Sequence, residues 1–316
     1  MDKHSRQFIE ALTAESMENL RKTPKSDLHN HFILGGSREH IKQRTGVEIP
    51  ILTHKLKSMD EMHKWVGENI SHLFDSKERR TFAIESCFQQ AKDDGVTKLE
   101  IGDDVWANGH YYDYQIDSLI NTFQETHNEI AFEMEFRFQI GLSRHCPIDL
   151  LEKWIEPFFE RDCFHSIDLY SDELAQPIKN FKGIYRKAKE KGLVLKAHVG
   201  EWGNADSVKE AVEELELDEV QHGISAANST SIMYWLADNG IPLNICPTSN
   251  VMLGRVMELK RHPIRKLFDH GVRVTINTDD VLVFNQGVTD EYLNLYRERV
   301  FTAEELDIIR IYGLDN

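Results

Sequence analysis

Cysteine is scarce in this chain and scattered. The four, Cys87, Cys146, Cys163 and Cys246, form no C-x-x-C pair. That excludes the thiolate zinc motifs and gives no disulfide framework. Free thiols so placed imply a reducing cytosol. Positive charge is short as well, with 37 Lys and Arg against 53 Asp and Glu and a formal net charge of −16. Nucleic-acid binding needs a basic face to neutralise phosphates, so nucleic acid is excluded as a partner, and an anionic membrane surface is disfavoured on the same ground. No stretch approaches the roughly 18 apolar residues of a membrane-spanning helix. The opening "MDKHSRQFIEALTAES" lacks the apolar core of a signal peptide. Repeats, low-complexity tracts and Pro/Gly/Ser linkers are missing too, so one domain is expected over residues 1–316. Hydrophobic residues, at 41%, leave ample material for its core.

What the chain does have is a recurring apolar pulse. Eight short runs read as strands: 26–31 "SDLHNH", 98–102 "KLEIG", 135–142 "EFRFQIGL", 165–170 "HSIDLY", 193–200 "LVLKAHVG", 219–223 "EVQHG", 242–247 "PLNICP" and 272–279 "VRVTINTD". Between the later runs, 176–192, 207–217 and 262–271 carry apolar residues at helical spacing. Strand, helix, strand at this pitch means parallel pairing, and eight such units predict a closed α/β barrel of the (β/α)8 TIM type. The span 38–96 is too long for one crossover and must hold extra helices, one of them over 58–74 across the barrel mouth.

A barrel gathers its chemistry at the carboxyl ends of its strands. Those ends carry His29 and His31, then Asp168 and Ser171, then His198 with Glu201 just beyond, His222, Cys246 with Thr248 and Ser249, and finally Asp279 and Asp280. Each motif alone has a bland explanation. A histidine pair can be filler, and a buried histidine can simply bond a backbone carbonyl. The adjacent carboxylates of "NTDD" are harder to dismiss, because they repel unless a cation or a proton intervenes. Independent accidents would not fall on strand ends one, five, six and eight. Three imidazoles and one carboxylate suit zinc with an open position for water, and leave Glu201, His222 and Asp280 free for proton transfer.

The set "DLHNHF", "AHVGE", "QHGI", "NICPTSN" and "TINTDD", in this order, resembles the adenosine deaminase family of metal-dependent amidohydrolases, over about Pro24 to Tyr292. The resemblance implies one zinc per subunit, or another divalent metal, held by His29, His31, His198 and Asp279. It implies that Glu201 protonates a ring nitrogen beside the carbon under attack, that His222 orients or deprotonates the attacking water, and that Asp280 hydrogen-bonds the ring. The substrate would be a small purine-like molecule, with water as the second reactant. The His/Cys/Cys zinc deaminases are excluded, since no P-C-x-x-C run is present.

Departures from that pattern touch recognition. Ile33 and Leu34 stand where adenosine-specific relatives place an acidic residue and glycine against the sugar hydroxyl. Ser171 replaces the glycine whose backbone amide meets the purine, and is expected to bind substrate while narrowing the floor. Trp202, directly after Glu201, offers a stacking wall. Adenosine is therefore expected to be a poorer substrate than one with an apolar or absent group at that end, unless His63 or Asp60 of the lid supplies a polar partner. Relatives also carry more helix past "DIIRIYGLDN", so a terminal helix is the element this chain would lack. Two rivals stand beside the deaminase. One is another mononuclear amidohydrolase acting on a different amino-heterocycle or cyclic amide. It is disfavoured because strand four offers no lysine for a bridged metal pair. The other is an inactive purine-binding protein, at odds with the retention of Glu201, His222 and Asp280. The oligomeric state is not legible.

Overall fold

The structure, a computed structural model, describes residues 2–316. Its strands are β1 (Lys25–Asp27), β2 (Val96–Asp104), β3 (Glu135–Ser143), β4 (Ser166–Tyr170), β5 (Val194–Val199), β6 (Glu219–His222), β7 (Leu243–Ile245) and β8 (Val274–Ile276). They form one sheet in chain order, with each successive pair parallel. Each of the eight runs anticipated as strands overlaps one, and the architecture is the expected α/β barrel. A helix covers each later crossover, such as Lys182–Glu190, which turns Ile184, Tyr185 and Ala188 inward. The helix Ala205–Leu215 starts on a capping box between Asn204 and Ser207, which satisfies backbone donors that would otherwise be orphaned. The long first crossover holds helices Arg38–Thr45, Met59–Asn69 and Lys77–Asp93. Met59, Met62 and Val66 of the middle one line the cavity at the barrel mouth, as expected of a lid.

Side chains pointing into the barrel are polar and tied together. Lys196 lies between Glu100 and Glu219, with Nζ 2.8 and 2.7 Å from their carboxylates. Glu100 also accepts from Ser166 at 2.5 Å and Gln139 at 3.2 Å. Glu219 accepts from Asn244 at 2.7 Å, and Asn244 accepts from Thr275 at 2.7 Å. Strands β2 to β8 thus share one buried network, in which every charge has a partner, as burial demands. Because strand side chains alternate, the residue two beyond Lys196 shares its face. That residue is His198.

The seam between β1 and β8 is closed differently. No ladder joins these strands; an isolated bridge pairs Asn30 with Asp279. Below it, Asp27 accepts the Thr278 N–H at 3.2 Å and its hydroxyl at 2.6 Å. Asn277 Oδ1 accepts the Leu28 N–H at 2.8 Å, and the Asp279 N–H donates to the His29 carbonyl at 2.9 Å. Regular strand therefore stops earlier than the apolar pattern suggests, at Asp27 and Ile276, because the residues beyond bond across the seam largely through side chains, with backbone bonds only around Asp279.

Gly102 shows how tight the sheet is. A Cβ built there would lie 1.6 Å from the Gln139 carbonyl oxygen, on the paired strand β3. Gly102→Ala must part the two strands, an overpacking cost of about 3 kcal/mol. Thermal unfolding followed by circular dichroism should show a melting temperature lower by several degrees. An unchanged melting temperature would mean that the ladder yields freely at this point.

Candidate active site

At the seam, four donor atoms converge. His29 Nε2 lies 2.9 Å from His198 Nε2, which lies 3.2 Å from His31 Nε2. Asp279 Oδ1 is 3.3 Å from His31 Nε2 and 3.6 Å from His29 Nε2. The tautomers of two rings follow from their outer nitrogens. His29 Nδ1 lies 3.0 Å from the Asn244 carbonyl and can only donate to it. His198 Nδ1 lies 3.3 Å from the Asp168 carboxylate, which fixes it as a donor too. A neutral imidazole carries one N–H. Both inner nitrogens are therefore bare lone pairs, held against each other.

Protonation does not relieve this. Burial, with the neighbouring imidazoles, pushes His29 well below its usual range and His198 down to about 3. Although burial opposes ionisation of Asp279, the hydrogen bond from His31 and the charge on that ring hold its carboxyl below the ordinary range. Burial also opposes a charge on His31, yet the bond to Asp279 and the nearby carboxylates raise it to about 9. The cluster thus retains one positive charge at the place where a cation would sit. Neutral imidazoles and an ionised carboxylate are what a divalent metal requires, and the donor set fits one. His29, His222, Cys246 and Asp279 also lie close enough together to hold an ion. That grouping is the poorer one, since the Cys246 thiol is pushed well up by burial and adjacent carboxylates.

Beside the cluster stands a second chain of contacts. His262 Nδ1 accepts the Ile264 N–H at 3.1 Å, so its Nε2 carries the proton and donates to Asn250 Oδ1 at 3.3 Å. The Asn250 amide is thereby turned to give its N–H groups to Glu201 Oε1 and to His222 Nδ1, each at 3.2 Å. His222, pushed down to about 3 by burial, is neutral, and its one proton is left on Nε2, 3.7 Å from Glu201 and 3.9 Å from Asp279. Burial, then the charges of Asp279 and Glu173, hold the Glu201 carboxyl well above its usual range, which favours its protonated form. Asp280 is raised likewise by burial and by Asp279, and its Oδ1 has no partner among the described residues.

Glu201 sits on a loop organised by another carboxylate. Glu173 accepts the N–H groups of Gly200 at 2.7 Å, Glu201 at 3.1 Å, Trp202 at 2.7 Å and Gly203 at 3.1 Å. Four successive backbone donors on one buried carboxylate leave the loop little freedom.

The cavity above has a volume of about 390 Å³. His31, His198, Glu201, His222, Asp279, Asp280 and Ser171 all face it, and His29 lies just beneath. Every site residue expected from the sequence is thus in one place. Ser171 has φ 75, the left-handed backbone that glycine adopts freely, which is the physical reason for a glycine there. Its hydroxyl bonds His145 Nδ1 at 3.1 Å. Trp202 does not form the expected stacking wall. It lies outside the cavity lining, under the Arg255 guanidinium 4.5 Å from its ring centre, because the Glu173 bonds turn its backbone away. Glu173, Asn250 and His262 escaped sequence reasoning as supporting residues, and Asp168 was singled out only for its place at a strand end. Asn250 closes the quoted "NICPTSN", whereas Glu173 and His262 stood in no quoted motif.

A parallel eight-stranded barrel with a His3Asp cluster at its strand ends defines the class of metal-dependent amidohydrolases. Comparison narrows it. A family model described as adenosine deaminase matches residues 71–316. A putative adenosine/adenine deaminase of Treponema pallidum is 35% identical, over 89% of this chain and 94% of that protein. The crystal structure of an adenine deaminase from Arthrobacter aurescens superposes with a TM-score of 0.80 at 24% identity, covering 92% of this chain and 93% of that one. An amidohydrolase from Burkholderia ambifaria, solved with bound Zn, superposes with a TM-score of 0.76 at 19% identity, over 100% and 88%. The chain belongs to the adenosine deaminase family. Hydrolytic removal of an amino group from an aminopurine, the reaction expected from the sequence, is that family's reaction.

The Glu173 cradle is testable without touching any reacting group. Glu173→Gln leaves one acceptor oxygen where two served, so the loop bearing Glu201 should loosen. Misplacing a reacting group by about 1 Å can cost roughly a hundredfold. A tenfold to hundredfold fall in kcat is expected, with metal content and KM little changed. A variant with parental kcat would reduce the cradle to a structural detail.

Proposed function

We propose that this protein is a zinc-dependent hydrolytic deaminase of an aminopurine or purine nucleoside, and that it releases ammonia. The observation that carries this is the bare-lone-pair contact between His29 and His198 at 2.9 Å, in the same cavity as a Glu201 held protonated. One half of the arrangement asks for a cation and the other offers a proton. His29, His31, His198 and Asp279 would hold the metal. When bound, zinc supplies a Lewis acid that brings the deprotonation of water into the neutral range.

The rest falls to the chain's own residues. Glu201 gives its proton to a ring nitrogen next to the carbon under attack, which makes that carbon electron-poor. Its carboxylate then carries the proton left on the added oxygen to the amino group, which departs as ammonia. His222, with Nδ1 committed to Asn250, presents Nε2–H and so orients the attacking oxygen as a donor instead of removing its proton. Asp280, protonated and with Oδ1 unpartnered among the described residues, meets a second ring nitrogen. Ser171 forms part of the floor. The activities carried in the names of the relatives, adenosine/adenine and adenine deaminase, support an aminopurine as the substrate class. We further propose that residues 1–316 work as one catalytic unit in the cytosol. Four free cysteines agree with such a compartment, and no helix among the described residues is long and apolar enough to cross a membrane.

Elemental analysis of protein purified without added metal should give one divalent ion per chain, chiefly zinc. A value near two would sink the mononuclear assignment. Glu201→Gln keeps the shape and removes the transferable proton, so ammonia release should fall by roughly two to four orders of magnitude. Metal content should hold, because Glu201 is not among the proposed ligands. Loss of metal together with activity would put Glu201 in the coordination sphere and overturn its role as proton donor.

A further inference from the structure

One group of polar residues lining the cavity has no part in deamination. It stands at the carboxyl end of β2. In a barrel of eight strands in chain order, β2 lies across from β6, whose end carries His222. A substrate whose reacting carbon faces Glu201 and His222 therefore sends its far end toward β2. Asp103 and Asp104 wait there, with Arg80 from the helix Lys77–Asp93.

Asp103 is 3% exposed and half satisfied. Its Oδ1 accepts from Arg80 Nη2 and from the Asp104 N–H at 2.9 Å. Its Oδ2 has no partner among the described residues. Arg80 cannot swing to fill the gap. It is 2% exposed, and its guanidinium is packed over Tyr111 at 4.3 Å, Phe32 at 5.1 Å and Trp106 at 5.9 Å. Asp104 is committed as well, accepting from the Ser143 hydroxyl and from the Trp106 N–H at 3.2 Å. What remains in the wall of the ligand cavity is one immobile carboxylate oxygen, dry and unmatched, with the Arg80 Nε–H and the Tyr112 hydroxyl buried behind it and likewise without partners among the described residues. A buried acceptor in that state is destabilising unless a ligand donates to it.

The same arrangement defines the donor. The cation at this end, Arg80, already gives Nη2 to Asp103 and has its buried Nε–H left over, and two carboxyl groups stand beside it. A phosphate would meet the Asp103 lone pairs, whereas a neutral hydroxyl would complete them. We propose that Asp103, clamped by Arg80, recognises the substrate's far end by accepting a hydrogen bond from a hydroxyl, and thereby selects unphosphorylated, hydroxyl-bearing purines. This rests on the deaminase assignment. It also changes the expectation drawn from Ile33 and Leu34. Those residues leave the sugar without a partner on the segment after the histidine pair, but the neighbouring strand β2 offers one.

The test compares kcat/KM of the holoenzyme for adenosine, its 5′-, 3′- and 2′-deoxy forms, adenine and AMP. Calorimetric binding of the matching 6-oxopurine products is measured alongside. Removing one particular hydroxyl should lower kcat/KM about ten- to hundredfold, and AMP should trail adenosine by more. In Asp103→Asn the advantage of adenosine over that deoxynucleoside should collapse, while Arg80 keeps an acceptor. Should that variant fail to fold, Asp103→Glu keeps the charge and displaces the oxygen, and the parental deoxynucleoside series needs no variant. Turnover indifferent to every hydroxyl, a preference for AMP, or an equal loss on all substrates in Asp103→Asn would overturn the role of Asp103 and leave the deaminase standing. Hydroxyl-dependent binding with no ammonia from any substrate would do the reverse.

Discussion

Everything functional in this molecule depends on how the barrel closes. β1 and β8 are separated by some two hundred and fifty residues of chain and share no ladder, so the last seam is made by side chains and by one bridge at Asn30 and Asp279. Asp27 takes two hydrogen bonds across that gap, from the Thr278 N–H and hydroxyl, and a third from the Asn30 amide on its own side. These are the residues that bracket His29, His31 and Asp279. The bonds that shut the barrel therefore also set the distances between three of the four donors. The fourth, His198, is aligned from inside, two residues above Lys196 on the same face of β5. A floor of paired charges holds one ligand and a stitched seam holds the others.

Such rigidity lets the site keep groups in states they would leave if free to move. Three imidazole nitrogens face one another, and burial keeps two of those rings uncharged. Glu201 retains its proton because burial and two carboxylates disfavour the anion, while the Glu173 cradle denies its loop an alternative path. Ser171, His222 and Asp279 all adopt left-handed backbone, at φ 75, 63 and 65. Non-glycine residues there cost about 1–2 kcal/mol each. All three sit at strand ends around one cavity. Strain of this kind persists where the surrounding structure over-determines it, and the polar floor and close-packed ladders do so in this barrel.

The barrel was legible because its signal is repetitive. Eight apolar runs at crossover spacing, with helical patterns between them, leave few other topologies. The metal-ligand set was legible for a related reason, since strand ends in a parallel barrel point to one face and His29, His31, His198 and Asp279 all stand at such ends. What stayed hidden was orientation. Trp202 follows Glu201 directly, yet four hydrogen bonds to Glu173 turn it out of the cavity. His262 lies in a segment that reads only as helix, and nothing in its spacing says that it orients Asn250 from 12 residues away. Residues that act through a neighbour have no period and no motif, so only three-dimensional contact reveals them.

The β2 end joins these threads. In the sequence, Asp103 and Asp104 directly follow the run "KLEIG" and drew no notice as site residues; Asp104 caps the helix Val105–Tyr111. The apolar Ile33 and Leu34 then make the recognition side of the pocket look hydrophobic. Contact changes this, because Arg80 arrives from a helix of the long first crossover and commits one oxygen of Asp103 while leaving the other open. The crossover that supplies the lid also supplies the clamp. Chemistry and recognition are thus carried by different strand ends of the same ring. The metal-ligand and proton-transfer groups lie along β5, β6, β8 and the seam, and the group free to read the substrate's far end stands on β2. Exchanging residues on β2 could therefore change which purine enters without disturbing the atoms that react.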